Sequence, residues 1–149
     1  RTETYRRAAR AWLADLQRVD GELTRLVSAP DMDVYVLAQA AQAALEQSTA
    51  LAQAISLLYP PASLTSLRDG LQESADLYLE AAVLLNRWVG EPTQELYVQT
   101  LEALRVARAT CAALVQNPWM QAETPVTSPV YVPATPAGQA PATPATWGE

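Results

Sequence analysis

Four carboxylates, Asp69, Glu73, Asp76 and Glu80, follow one another at one per turn, the spacing at which a helix stacks side chains along one face. A row of this kind invites two chemistries, cation binding and general acid–base work. Carboxylates stacked along one helix do not converge on a point, however, and a hard cation takes several converging oxygens. At about 100° per residue, Asp69 and Glu73 lie about 200° from Leu71 and Glu80 about 180° from it, so the row turns away from the apolar face. The expectation is a solvated face, with an acidic strip for a partner as the alternative.

The single cysteine, Cys111, keeps step with Leu104 and Leu114, where a free thiol packs as a small hydrophobe. A thiolate nucleophile needs a proton acceptor beside it, and the nearest cation in sequence, Arg108, cannot accept one. The chain has no histidine. That removes Ser-His and Cys-His pairs, His-ligated zinc, haem and di-iron centres, and any side chain whose ordinary pKa lies near neutrality. The glycines are isolated, so no loop cradles phosphate. No catalytic residue, metal ligand set or cofactor is expected, and the chain reads as non-enzymatic.

A net charge of −6 and a pI near 4.6 repel phosphate backbones, so no nucleic acid partner is expected. The charge is uneven. Residues 1–29 hold six arginines against Glu3, Asp15, Asp20 and Glu22, with Arg6, Arg7 and Arg10 clustered near the start. Two readings stand: pairing with acidic neighbouring helices, or attraction to anionic headgroups if an anchor precedes Arg1. The chain opens on Arg1 with no basic-then-apolar leader and no run of 18 apolar residues, which leaves open whether a leader or anchor precedes it. The compartment stays open, leaning extracytoplasmic or membrane-peripheral.

Other signals are apolar residues on faces that should be wet. Counted from Leu104, Val106 lies about 200° away, Ala109 about 140° and Ala113 about 180°; Tyr35 lies about 200° from Leu37. Scattered surface apolars are ordinary. The docking reading makes the strip a groove for this protein's own tail or for another subunit, and the tail offers hydrophobic anchors: Trp119, Met120, Val126, Val130, Tyr131, Val132 and Trp147.

The elements that position these residues follow from the prolines. Pro30, Pro60-Pro61, Pro92 and Pro118 cut the first 117 residues into four proline-free segments of similar length. Steps of three and four connect Tyr5, Ala9, Trp12, Leu16, Val19, Leu23 and Leu26 in the first; the second runs Leu37, Ala41, Ala44, Ser48, Leu51, Ile55, Leu58. The third carries Leu64, Leu67, Leu71, Ala75, Tyr78, Ala82, Leu85 and Trp88; the fourth Tyr97, Leu101, Leu104, Ala107, Cys111 and Leu114. Asp31 and Ser63 are the expected N-caps, Gly90 the stop of the third helix and Pro92 the start of the fourth. Helices are expected at about 3–28, 32–59, 63–89 and 92–116. Equal lengths and short connections specify an all-α, up-down-up-down four-helix bundle over residues 1–117.

From Pro118 the composition changes. The last 32 residues contain seven Pro, six Ala and five Thr, and no basic residue. Such a segment, 118–149, favours an extended arm over a core of its own. Antiparallel helices make the arm leave near Arg6, Arg7 and Arg10. The functional expectation is an accessory or assembly subunit of a larger, membrane-associated complex that meets other protein subunits through the arm; the alternative is a ligand-sensing four-helix ectodomain of a membrane receptor.

Overall fold

The stripe from Tyr5 to Leu26 becomes the buried side of α1 (Thr2–Val27) in the computed structural model, which describes residues 1–29 and 31–121. It is followed by α2 (Val34–Leu57), a 3-10 turn (Ala62–Leu64), α3 (Thr65–Gly90), α4 (Gln94–Val115) and a single helical turn, α5 (Pro118–Gln121). The first four run up, down, up and down, and no strand occurs among the described residues. A helix of 26 residues is about 39 Å long. The bundle therefore has two ends. At the terminal end α1 begins, α2 passes into α3, and α4 ends; at the loop end lie the α1–α2 and α3–α4 connections.

The boundaries shift from expectation for local reasons. Asp33, not Asp31, caps α2, its carboxylate accepting from the Val36 N–H at 3.4 Å. Thr93 caps α4 by accepting from the Leu96 N–H at 3.1 Å, leaving Pro92 outside the helix. Ser63 caps nothing. It sits inside the 3-10 turn, and α3 begins two residues later with no side-chain cap. Gly90 is the last residue of α3 rather than the stop beyond it.

Every inward residue expected in α1 and α3 is buried except Trp12 and Trp88, which are half-buried against the same core. Ser48 of α2 is buried with them because its hydroxyl donates to the Ala44 carbonyl at 2.8 Å, which removes the cost of an unpaired hydroxyl. Leu58 is a correction. A residue close ahead of Pro60-Pro61 leaves the helical region, so α2 stops at Leu57 and Leu58 turns out into solvent. The second correction is rotational. In the first turns of α4 the buried residues are Leu96 and Thr100, whereas Leu101 is 40% exposed and Tyr97 half-buried. One residue is about 100° of rotation, and Thr100 tolerates the interior by donating to the Leu96 carbonyl at 2.7 Å.

α3 packs against each of the other three long helices. Alanines on its face and on α2 (Ala41, Ala44 and Ala52; Ala75, Ala81 and Ala82) are buried and let the two backbones approach. The approach is close enough for Asn86 Nδ2 to donate to the Ala41 carbonyl at 2.8 Å and Gln72 Nε2 to the Ala52 carbonyl at 3.3 Å. On the α4 side, a Cβ at Gly70 would stand 3.0 Å from Leu114 Cδ1, so the missing side chain is what lets that leucine fill the space.

Candidate functional site

Two places collect polar groups against the bundle, one at midspan and one at the terminal end. The midspan cluster starts from Asp20 on α1, which α3 and α4 approach from two sides. Tyr78 Oη donates to Asp20 Oδ2 at 2.5 Å, and Arg108 grips the same carboxylate with two bonds, from Nε at 3.1 Å and Nη2 at 3.2 Å. Arg108 Nη2 also donates to Thr24 Oγ1 at 2.6 Å. Burial, and then the Asp20 carboxylate that it donates to, push the Tyr78 phenol far above its usual value. Cys111 lines the same cleft of about 350 Å³, and burial pushes its thiol up as well, aided by the nearby Asp20 charge. Both groups therefore hold their protons at neutral pH. The cluster ties α1, α3 and α4 together through a bidentate charged pair, and its acceptors are engaged.

At the terminal end, the root of the arm meets the start of α1. Asn117 Oδ1 accepts from the Trp119 N–H at 2.8 Å and starts the turn of α5, which drops Met120 into the core at 9% exposure. Arg6, buried at 7%, donates from Nε to the Trp119 carbonyl at 3.1 Å and lies 5.9 Å from the centre of its ring. Glu3 is bonded to Arg6 at 3.1 Å and to Arg10 at 3.1 Å. The carboxylate on the first turn also suits the helix dipole that the arginines oppose. Arg7 is exposed and makes no ion pair among the described residues. Beside these lie the α2–α3 connection and its exposed tip, Leu57 at 81%, Leu58 at 43% and Tyr59 at 82%. Arg1, Thr4, Tyr5, Leu58, Tyr59 and Pro61 enclose a cleft of about 270 Å³.

The sequence-derived candidates fall into separate places. Arg6, Arg10, Trp119 and Met120 come together. Arg6 and Arg10 each pair with Glu3 of their own helix. Val106 is half-buried in an outer groove of about 460 Å³ between α3 and α4, beside Leu77, Leu84, Val98 and Ala103, while Ala109 and Ala113 are exposed. Tyr35 is 79% exposed at the loop end, the far end from the arginines. Val126, Val130, Tyr131, Val132 and Trp147 lie outside the described residues, as does the rest of the arm after Gln121. The acidic row of α3 is exposed throughout, and no group of three metal-ligating side chains converges among the described residues. No described helix is long and apolar enough to cross a membrane.

Sequence reasoning missed the Asp20–Tyr78–Arg108 cluster. Tyr78 reads as one more apolar position, and Asp20 and Arg108 are 88 residues apart. A signal exists: Asp20 lies next to the core residue Val19, at the edge of the α1 stripe, where a carboxylate needs a partner. The exposed Leu57–Tyr59 tip was also missed, because Leu58 fits the stripe. Compared with family models, with curated proteins and with solved structures, the chain matches none.

Proposed function

We propose that this chain is a non-enzymatic accessory or assembly subunit of a larger protein complex, in which the bundle is a rigid body and the segment after Gln121 engages another subunit. The observation that carries this reading is the pinned root of the arm. Met120 in the core and the Arg6 bond to the Trp119 carbonyl fix the point and direction at which the chain leaves the bundle. A fixed exit reduces the orientational freedom lost when a following segment docks. The prolines of that segment restrict its backbone further. The best-placed polar groups elsewhere, Asp20, Tyr78 and Arg108, are committed to one another and hold helices together.

The test compares the 149-residue chain with one ending at Gln121, each recovered from the source organism with its cross-linked neighbours. The full chain is expected to bring down a partner cross-linked within 122–149, and the shortened chain to lose it with an unchanged melt. Equal recovery by both would overturn the reading. A ligand-sensing ectodomain is the second reading, favoured by one observation. The bundle starts and ends at the same end and carries at the other a cleft of about 790 Å³ lined by Val27, Met32, Trp88, Thr93 and Tyr97. A membrane-spanning helix on each side of the chain in its gene would support it.

A further inference from the structure

The terminal end combines three features that occur together nowhere else among the described residues. The first is an apolar tip held away from the core. Leu57 and Tyr59 are more than four-fifths exposed, and Pro60-Pro61 follow at once, stiffening the connection that presents them. The second is positive charge. Arg1, Arg6, Arg7, Arg10 and Arg68 stand in the turns at this end against Glu3, Asp69 and Glu73, and Arg1 and Arg7 have no ion pair among the described residues. The third is an unused donor. Tyr5 lines the cleft between Arg1 and the tip, is 2% exposed, and its hydroxyl has no hydrogen-bond partner among the described residues.

The geometry points to this end as a docking face for an anionic lipid surface, with Leu57 and Tyr59 entering the interface and Arg1 and Arg7 meeting headgroup phosphates. Leucine supplies apolar area, tyrosine an aromatic body with a polar tip suited to the headgroup level, and arginine a bidentate phosphate contact. The chain's net charge of −6 does not prevent this. Charges at physiological salt are screened over about 8 Å. The acidic excess of the loop end (Glu22, Asp31, Asp33, Glu91 and Glu95 against Arg25 and Arg87) lies most of a helix length away. The lipid surface meets the local charge, and each arginine near it adds attraction. This inference is independent of what the arm binds.

The experiment sediments the 149-residue chain with vesicles of phosphatidylcholine alone and of phosphatidylcholine with phosphatidylglycerol. Binding is expected to the mixed vesicles and to fall severalfold between low and high salt. Leu57→Ser with Tyr59→Ser should reduce it by about tenfold or more, and Arg7→Glu by severalfold. Tyr35→Ser, at the loop end, should leave it unchanged. All the substituted residues are exposed, so the variants' melts should match the parent and separate binding from folding. Absence of binding to the mixed vesicles would overturn the inference, as would equal binding to both kinds or loss through Tyr35→Ser. Sedimentation equilibrium of the same variants gives the competing occupant: a dimer broken by Leu57→Ser and Tyr59→Ser, without vesicle binding, would assign the tip to a second copy and reject the lipid face.

Discussion

The terminal end and the loop end of the bundle each gather four helix termini, joined by one connection at the first and by two at the second, and they differ in charge and in closure. The terminal end is basic and is plugged by Met120 beneath Trp119 and Arg6; the loop end is acidic and open, with the Trp88 and Tyr97 rings 5.4 Å apart along its cleft. A plugged end comes from having a fifth segment to fold back. The loop end has only its own connections to cover four helix termini, and a connection that leaves the helix needs solvent for its backbone groups. Exposed apolar residues occur at both, Val34–Val36 at one and Leu57–Tyr59 at the other. The second group shares a cleft with Arg1.

The largest expected effect contrasts two leucines. Leu67, fully buried near the terminal end, should cost about 3–5 kcal/mol when truncated to Ala, whereas half-buried Leu37 at the loop end should cost about 1–2 kcal/mol. Denaturant melts of the two variants measure this, and equal losses would mean that the loop end is as closed as the other. The chain's two methionines sharpen the contrast with matched chemistry. Met120→Ala should cost about 2–3 kcal/mol and Met32→Ala, at the half-buried rim, about 1 kcal/mol. A smaller loss at Met120 would loosen the plug and with it the fixed exit of the arm.

Next is the midspan cluster between the two ends. Tyr78→Phe keeps the ring and removes the donor to Asp20, at a cost of about 1–2 kcal/mol. It should also change the alkaline limb. The unfolded chain releases the Tyr78 proton near pH 10.0 while the folded chain retains it. The stabilisation is therefore complete below pH 10, declines as pH rises above it, and should be absent from Tyr78→Phe at that site. Melts at pH 6 and pH 8, by contrast, should coincide, since no histidine titrates between them. The smallest effects are expected where neither end nor core is touched: Glu73→Ala on the exposed row of α3 should shift stability by less than about 0.5 kcal/mol.

The four long helices, their order and most of their inward faces were legible from spacing alone. The pattern of α1 from Tyr5 to Leu26 has one apolar arc and admits one rotation. α4 admits two, because Leu96 and Tyr97, or Thr100 and Leu101, are neighbours that differ by one step, and hydrophobicity favours the wrong one. Thr100 goes inward because a helix can satisfy its hydroxyl within its own backbone, which a hydropathy pattern does not register. The exit of the arm near the arginines followed from antiparallel topology, but the bond between Arg6 and Trp119 did not.

The sequence by itself determined where helices can start and stop, which side of α1 and α3 is apolar, and which catalytic chemistries lack their residues. The first two depend on neighbours within about four residues along the chain, the last on composition alone. Tertiary structure alone decided that Asp20, Tyr78 and Arg108 meet, that Gly70 gives way to Leu114, and that the arm's first turn closes one end of the bundle. Those contacts depend on the axial offset and rotation of one helix against another. A step of one residue changes them by about 1.5 Å and 100°, and no spacing within a single segment records that choice.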